Sequence, residues 1–470
     1  MIKNHLYSSI LNNLSYNPTN CQERLLQVLS VFILDDKERS LLLVHGYAGT
    51  GKTTVISALV NALNQFKIKS FLLAPTGRAA KVIMGYSNQN AYTIHKKIYR
   101  QKSAKDGFGE FIIDFNPNKN TIFIVDEASM IGGSTGEYSI FGSGDLLNDL
   151  IEYVNRGSNC KLILIGDSAQ LPPVGLDISP ALNPEYLKKY GFNIKYTELT
   201  EVVRQSRDSG ILMNSTRIRN NLKVKKNEIQ ISVKNFSDIH RINGQELIER
   251  LTASIEKFGL NEVIVLSRSN KRANIYNQGI RAKILFREGE IETGDILMVV
   301  KNNYFWSAGL TIDFIANGDV FEVARIYKYE DIYGLRFAEV RARFIDYDNM
   351  ETDLLIILDT LNIESAALPA EKNKELFYQI FEDYQEVETK KKKYQKVRED
   401  RYFNALQVKF AYAATCHKAQ GGQWKEVYVD QGYLTDEMIN KEYLRWLYTA
   451  FTRATRNLYL VNFNDKFFID

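Results

Sequence analysis

A glycine-rich segment near the N-terminus constrains the fold of this chain more than any other feature. The segment is GYAGTGKTT, from Gly46 to Thr54. It follows an apolar run from Leu41 to Val44 that is typical of a buried strand, and it precedes apolar residues at helical spacing between Val55 and Val60. A strand, a loop and a helix with the spacing G-x-x-x-x-G-K-T form the arrangement of a phosphate-binding P-loop. The sequence therefore predicts a nucleoside triphosphate site within an α/β domain.

The residue types of this loop suit a polyphosphate ligand. Glycines allow backbone N–H groups to turn towards the phosphates, and the helix N-terminus adds a partial positive charge. We expect Lys52 to reach the β- and γ-phosphates and Thr53 to offer its hydroxyl to Mg²⁺. The expected cofactors are therefore ATP and Mg²⁺. The expected nucleotide-binding residues of the loop are Gly46, Ala48, Gly49, Thr50, Gly51, Lys52, Thr53 and Thr54.

The length and composition narrow the class of protein. A chain of 470 residues is too long for one core, so roughly three domains are expected. Its 45% hydrophobic and 25% charged residues are typical of a globular protein, and no apolar run approaches the ~20 residues that span a bilayer. The three cysteines are scattered and predict neither disulfides nor a zinc site, so a reducing cytoplasm is expected. A net charge of +4 is compatible with nucleic-acid binding without indicating it.

Short apolar runs alternate with helical patterns in two parts of the chain, which predicts two parallel sheets. A β-rich stretch near 295–360 and a charged, helix-prone stretch near 364–401 interrupt the second part, which begins near Tyr196. The predicted strands are 41–45, 69–74, 121–126 and 161–166 in the first part, and 262–267, 425–430 and 457–463 in the second.

Two further segments carry polar groups at predicted strand ends. In IVDEASM, Asp126 is expected to hold Mg²⁺ and Glu127 to orient and deprotonate the attacking water. In LILIGDSAQLPPV, Gln170 is placed to hydrogen-bond the γ-phosphate or that water, although a glutamine in an ordinary turn would fit this segment equally well. Because the carboxyl ends of parallel strands share one edge of a sheet, these groups are expected to meet the P-loop there.

Eight segments in their order resemble the motifs of superfamily 1 helicases, and most closely those of the 1B branch, the RecD and Dda type. The resemblance implies two RecA-like domains, ATP hydrolysis in the cleft between them, and 5′-to-3′ movement on single-stranded DNA that crosses both. The segments are the P-loop, PTGRAAKV, YTIHKK, VDEASM, GDSAQLPPV, LTEVVRQS, YAATCHKAQGGQ and LYTAFTRAT.

The domain boundaries predicted from the patterns and the resemblance are as follows. The first RecA-like domain covers 1–195 and carries a hairpin insertion at about 95–120. The second covers 196–298 and 409–470, and the SH3-like and helical accessory insertion covers 299–408. The expected fold class is therefore α/β, with two parallel-sheet domains and an insertion in each.

The resemblance also implies roles for residues outside the P-loop. Gln22 is similar to an adenine-reading glutamine, although a glutamine at a surface helix start is the alternative. Arg204 and Arg453 match two arginines that would act as arginine fingers, unless they form ordinary ion pairs. Gln420 and Gly421 resemble the motif that couples DNA to the nucleotide. Many related helicases have an acidic residue near the position of Gln423, so its ribose contact is in doubt here.

The resemblance also implies which residues contact DNA. Hydroxyls, imidazoles and loop N–H groups can bind phosphates without recognising the base sequence. For the two histidines among the expected contacts, His95 and His417, local packing is the alternative role. An aromatic residue of the first insertion, Phe108 or Phe111, could split the duplex, and a buried strand aromatic is the alternative for either. The run Lys390–Lys393 fits DNA phosphates and a solvated helix face equally well. The expected DNA-track residues are Pro75, Thr76, His95, Thr415 and His417.

These observations predict an ATP-dependent DNA helicase or translocase, working as a monomer on single strands and duplex junctions. Accessory proteins of replication or repair are the expected class of protein partner. An RNA-directed helicase of the same superfamily is the first alternative, because phosphate contacts ignore the sugar. A nucleotide switch is the second, but its N-K-x-D signature is incomplete in Asn270-Lys271-Arg272-Ala273.

Overall fold

The computed structural model of the chain describes residues 2–35, 37, 39–101, 111–133, 142–202, 208–224, 226–307 and 314–469. The described residues form two parallel sheets with flanking helices, a closed β-barrel and a small two-stranded sheet. Within them no helix is both long and apolar enough to cross a membrane.

The helices and strands follow one another along the chain in the pattern that the apolar runs predict. The helices are α1 (Ile2–Asn12), α2 (Asn20–Ile33), α3 (Lys52–Gln65), α4 (Gly77–Ser87), α5 (Ile94–Ile98), α6 (Leu146–Arg156), α7 (Pro184–Lys188), α8 (Gly210–Lys223), α9 (Leu247–Phe258), α10 (Asn270–Lys283), α11 (Ala370–Asp383), α12 (Lys390–Arg398) and α13 (Lys441–Phe451). The strands are β1 (Ser40–Gly46), β2 (Ser70–Ala74), β3 (Ala91–Thr93), β4 (Tyr99–Gln101), β5 (Phe111–Ile113), β6 (Ile122–Val125), β7 (Lys161–Gly166), β8 (Asn193–Leu199), β9 (Ile239–Ile242), β10 (Val263–Ser267), β11 (Ile296–Val299), β12 (Val320–Ile332), β13 (Leu335–Phe344), β14 (Met350–Ile357), β15 (Leu406–Phe410), β16 (Ala413–Thr415), β17 (Trp424–Asp430) and β18 (Ala454–Val461).

The first sheet has six parallel strands in the order β3-β2-β6-β7-β1-β8. Its central strands β1, β6 and β7 are buried along their whole length, which explains why they read as continuous apolar runs. The second sheet has five parallel strands in the order β16-β10-β17-β18-β9. The two predicted parallel sheets are therefore confirmed.

The β-rich insertion is a closed barrel of β11 to β15. Its neighbouring strands pair antiparallel except for β14 and β15, which are parallel. Helices α11 and α12 pack on one side of the barrel around Leu376, Ile380 and Val397. The predicted fold class, two parallel-sheet α/β domains with a barrel and helices inserted in the second, is confirmed.

The structure moves two of the predicted boundaries. The boundary between 195 and 196 divides β8, which pairs with β1 from Asn193 to Leu199 and so belongs to the first sheet. The barrel includes β11 from Ile296 and β15 up to Phe410, so it is wider than the predicted 299–408. In both places the apolar strand pattern continues across the boundary, and only the pairing partner shows to which sheet each strand belongs.

The first insertion contains the antiparallel pair β4 and β5. Phe111 opens β5 and is only 5% exposed, with its ring 4.9 Å from that of Tyr304. The prediction that Phe111 forms a duplex-splitting wedge is therefore wrong. Its ring is buried between the hairpin and the barrel domain and belongs to the core. Phe108 lies outside the described residues, and the prediction of a wedge there stays a prediction.

Candidate nucleotide and nucleic-acid site

The carboxyl ends of the first sheet's strands hold the predicted nucleotide residues. The P-loop follows β1, Asp126 follows β6 and Gln170 follows β7, and these three strands are adjacent in the sheet. Pro75 and Thr76 follow β2, and His95 follows β3, so the predicted DNA residues lie further along the same edge. Strand order alone thus separates the predicted nucleotide residues from the predicted DNA residues.

The P-loop backbone requires glycine at two positions. Gly49 and Gly51 have φ angles of 72° and 76°, in the left-handed region that favours glycine. A Cβ atom on Gly49 would lie 2.5 Å from Cδ1 of Leu212, a residue of α8 in the second domain. The loop is therefore shaped both by its own turn and by the close approach of the other domain.

Lys52, the predicted phosphate ligand, donates a 3.1 Å hydrogen bond to the carbonyl of Tyr47. The hydroxyl of Thr50 donates to the same carbonyl at 2.7 Å. The Lys52 ammonium thus has an acceptor within its own loop, which it must leave to reach a phosphate.

Gln22 is buried rather than part of a surface helix start. Its Nε2 donates to the Thr50 carbonyl at 2.9 Å and to the Tyr16 hydroxyl at 3.2 Å, while its Oε1 accepts from the Thr19 N–H at 2.9 Å. The side chain therefore completes the capping box of α2 and supports the P-loop. Adenine recognition by Gln22 stays a prediction, and it requires the amide to exchange these partners.

Asp126 and Glu127 lie together at the end of β6. Asp126 is 5% exposed and its Oδ1 accepts the Glu127 N–H at 2.8 Å. Burial, followed by repulsion from Glu127, raises the pKa of Asp126 to about 7, and Lys52 opposes this rise. Glu127 has φ 52° and ψ 35°, an unusual conformation for a residue with a side chain, of the kind that clusters at functional sites.

The residues present fit a nucleotide-bound Mg²⁺. A buried carboxylate whose ionised form is disfavoured gains from a nearby divalent cation, and the Thr53 hydroxyl supplies a second oxygen. The described residues contain no group of three or more His, Cys, Asp or Glu side chains that could hold a metal by themselves.

The loop after β7 contributes Asp167 and Gln170, both buried. The pKa of Asp167 is raised by burial, against the opposing effects of Lys52 and of the Tyr448 hydrogen bond. Gln170 is 4% exposed, and its Oε1 has no hydrogen-bond partner among the described residues. A buried amide oxygen without a donor is available to a water or ligand in the cleft, which suits the predicted role of Gln170.

The second domain reaches this loop with three side chains. The Tyr448 hydroxyl accepts the N–H of Ala48 at 2.9 Å and donates to Oδ2 of Asp167 at 2.6 Å. Gln420 donates to the carbonyl of Leu171 at 2.7 Å, and the Thr449 hydroxyl accepts the N–H of Leu171 at 2.9 Å. The motifs of the two domains are therefore in direct contact at the predicted nucleotide site.

Of the two predicted arginine fingers, the structure describes Arg453 alone. Arg453 is 3% exposed and donates to the carbonyls of Thr449 and Gly422 at 3.1 and 3.2 Å. It is held within its own domain, so its action on a phosphate stays a prediction that requires a change of rotamer. Arg204 lies outside the described residues.

The predicted DNA-track residues come from both domains, and Thr76 of the first lies close to Gly421 of the second. Thr76 caps α4, accepting the Ala79 N–H at 3.2 Å. A Cβ on Gly421 would lie 3.2 Å from the Thr76 hydroxyl oxygen, so the two DNA motifs approach closely. Thr415 ends β16, and burial lowers the pKa of His417 beside it.

His95 packs against two rings, those of Tyr99 and Phe314, at 5.7 Å from each. Burial lowers its pKa to about 4, so it is neutral at physiological pH. A neutral imidazole cannot attract a DNA phosphate by charge. Its predicted DNA contact therefore rests on hydrogen bonding alone.

Sequence reasoning did not assign roles to several residues that form this site. Asp167 and Tyr448 lie within two of the eight motifs, GDSAQLPPV and LYTAFTRAT. Their positions in these motifs could have identified them as site residues. Tyr47 lies at a variable position of the P-loop and Arg219 lies in none of the eight motifs, so only the contact between the domains shows that they meet.

Comparison with known proteins finds matches over most of the chain. Residues 32–243 match the family model described as an AAA domain, and residues 410–461 match the UvrD-like helicase C-terminal domain. The chain is 24% identical to the uncharacterised protein R530 of Acanthamoeba polyphaga mimivirus, over 90% of this chain and 96% of that protein. A solved structure of two coordinating Pif1 helicases at forked double-stranded DNA is 15% identical with a TM-score of 0.48, covering 97% of this chain and 95% of that one.

A characterised relative is the ATP-dependent RecD2 DNA helicase of Deinococcus radiodurans, which is 24% identical over 56% of this chain. The matched region spans only 34% of that protein's length. The matches to the two family models and to such relatives agree with the eight motifs and their order. The chain thus contains an AAA domain and a UvrD-like helicase C-terminal domain, and it is similar to DNA helicases of the RecD and Dda type.

Proposed function

We propose that this protein is an ATP-dependent motor that moves 5′-to-3′ on single-stranded DNA and unwinds duplexes ahead of it. The observation that carries the proposal is the pair of hydrogen bonds made by Tyr448, to the Ala48 N–H of the P-loop and to Asp167. A second domain whose helix α13 hydrogen-bonds directly to the predicted nucleotide loop of the first can convert nucleotide binding and release into domain movement.

The residues of the cleft divide the chemistry among them. Lys52 would transfer from the Tyr47 carbonyl to the β- and γ-phosphates, where its charge stabilises the transferring group. Glu127 would accept the proton of the attacking water, and the unpartnered Oε1 of Gln170 would accept a hydrogen bond from that water. Mg²⁺ held by Thr53 and Asp126 would neutralise charge that develops on the phosphates.

The residues predicted to contact DNA support binding that does not depend on the base sequence. Thr76 and Thr415 lie at strand ends of the two sheets, so a strand that contacts both would span the cleft. Changes in cleft width would then alternate the grip of the two domains and move the strand. DNA rather than RNA is proposed from the characterised relative, whose name describes it as a DNA helicase.

The test is ATP turnover with and without single-stranded DNA, followed by unwinding of duplexes with a 5′ or a 3′ tail. We expect stimulation by single strands, and strand separation of 5′-tailed duplexes only. Lys52→Ala should lower turnover on the order of a hundredfold or more, while Lys188→Ala, which changes an exposed lysine, should leave it unchanged.

Each contrary result points to a specific error. Turnover that ignores single strands would contradict the motor proposal. Opening of 3′-tailed duplexes only would contradict the polarity alone. Stronger competition by an RNA strand than by the matched DNA strand would identify the protein as an RNA-directed helicase.

A further inference from the structure

Tyr47, the second residue of the P-loop, is enclosed by helix α8 of the second domain. Its side chain is 5% exposed. The Arg219 guanidinium carbon lies 4.4 Å and the Lys223 ammonium 4.7 Å from the centre of its ring. Its hydroxyl donates a 2.6 Å hydrogen bond to Glu198, which also pairs with Lys223 at 3.2 Å. Two cations of one domain thus hold an aromatic ring of the other.

Arg219 depends strongly on this ring. It is 6% exposed, its Nη2 lies 3.5 Å from the Thr200 carbonyl, and its Nε has no hydrogen-bond partner among the described residues. A buried charge is costly unless it is compensated, and a cation over an aromatic face is stabilised most where water is excluded. The position of Arg219 is therefore set largely by that of Tyr47.

The backbone of Tyr47 contacts Lys52, the predicted phosphate ligand. Its carbonyl accepts from Lys52 Nζ at 3.1 Å and from the Thr50 hydroxyl at 2.7 Å. A phosphate ligand would draw Lys52 away from this carbonyl. One residue therefore links the lysine that senses the nucleotide with the helix that belongs to the other domain.

Leu212, on the same helix, reinforces the contact. A Cβ atom on Gly49 would lie only 2.5 Å from Cδ1 of Leu212, so α8 packs directly against the loop. Any shift of the loop backbone on nucleotide binding must therefore move α8 or separate from it.

We propose that Tyr47 and Arg219 form an interdomain clamp that couples the nucleotide state of the P-loop to the position of α8, and through it to the grip on DNA. Both are positioning residues, which act through Lys52 and the domain contact. The inference rests on the proposed function, because it requires a chain that binds both a nucleotide and DNA. Coupling is reciprocal, so DNA must change nucleotide affinity by the same factor as nucleotide changes DNA affinity.

The experiment measures the affinity of a fluorescent ADP analogue with and without saturating oligo(dT). The ratio of the two dissociation constants is the coupling factor, expected to be about 5 to 150 in either direction in the wild-type protein. Arg219→Ala and Tyr47→Leu should each bring this ratio close to 1. Arg219→Lys keeps the cation and should retain an intermediate ratio, which a purely structural role would not produce.

A matched control is available in Arg241, whose guanidinium carbon also lies 4.4 Å from a ring centre, that of Phe468, away from the cleft. Arg241→Ala should leave the ratio unchanged. Because Arg219 is buried, thermal unfolding is measured for each variant. If Arg219→Ala does not fold, Lys223→Ala, at a half-exposed lysine, replaces it and should move the ratio at least twofold towards 1, and an unchanged ratio in this variant would overturn the clamp.

The outcomes separate the clamp from the motor. A folded Arg219→Ala protein with the wild-type ratio overturns the clamp and leaves the motor intact. A wild-type ratio of 1 in a protein whose ATP turnover is stimulated by single strands also overturns the clamp. Absence of that stimulation in the wild-type protein overturns the proposed function instead.

Discussion

The hydroxyl of Tyr448 donates a 2.6 Å hydrogen bond to the carboxylate of Asp167 across the cleft between the two sheets. Both side chains are buried, and the same hydroxyl accepts the N–H of Ala48 at 2.9 Å. One oxygen therefore joins the second domain to two loops of the first.

Tyr448→Phe should destabilise the protein, because it leaves the buried Asp167 carboxylate and the part-buried Ala48 N–H without this partner. The expected loss is about 1–3 kcal/mol of unfolding free energy, measured by denaturant unfolding. Tyr443→Phe on the same helix is the control, since the Tyr443 hydroxyl is buried without a partner among the described residues. Equal losses in the two variants would show that the hydrogen bond contributes nothing.

Glu127→Gln should retain ATP binding while turnover falls by about a hundredfold to ten-thousandfold, since an amide keeps the shape but cannot take a proton. The measurement pairs single-turnover hydrolysis with nucleotide titration. Glu152→Gln, at a half-exposed helix residue paired with Arg156, should behave as the wild type. Loss of affinity with a normal rate of hydrolysis would assign Glu127 another role.

Phe111→Ala should damage every activity together, because truncating a buried aromatic costs roughly 3–5 kcal/mol. Its burial against Tyr304 is the structural reason. If Phe108 is the wedge, Phe108→Ala should instead lower strand separation per ATP consumed while sparing thermal stability and DNA-stimulated turnover. An unchanged ratio of unwinding to ATP consumption in Phe108→Ala would remove this insertion as the splitting element.

Asp319 should make stability depend on pH. Burial raises its pKa to about 7, although it accepts the Ala316 N–H at 2.7 Å and the Tyr347 hydroxyl at 3.0 Å. The ordinary value is about 3.9, so between about pH 4 and pH 7 the folded state keeps a proton that the unfolded state has lost. The contribution of Asp319 to stability therefore falls as the pH rises through this window.

Asp319→Asn removes this titration. The stability of the variant relative to the wild type should be more favourable at pH 8 than at pH 5, as measured by thermal unfolding at both values. An identical difference at the two pH values would mean that Asp319 is ionised in the folded protein throughout.

Local patterns in the sequence were sufficient to predict that the candidate nucleotide residues of the first domain share one edge of a sheet. The P-loop, Asp126 and Glu127 each lie next to a strand whose apolar run can be recognised within a few residues. Since parallel strands place their carboxyl ends on one edge, the sheet brings these segments together as predicted. The antiparallel strands of the barrel were predictable for a similar reason, because they are apolar runs joined by polar turns, whereas an SH3-like domain was implied by the family resemblance alone.

Other features could not be predicted, because they depend on contacts between segments that are distant in the chain. The apolar pattern of β8 does not show that it pairs with β1, so the first domain was predicted to end too early. Burial of Phe111 depends on Tyr304 of the accessory insertion. Burial of Gln22 depends on the P-loop carbonyl of Thr50.

The sequence by itself determined the kind of chemistry, because a P-loop and adjacent acidic residues are encoded in short segments with fixed spacing. Only the tertiary structure decided how the two domains meet. The bond between Ala48 and Tyr448, and the stacking of Arg219 on Tyr47, join residues that are remote in the chain and carry no shared pattern. Contacts of this kind arise from the packing of whole domains, so no local spacing of residue types encodes them.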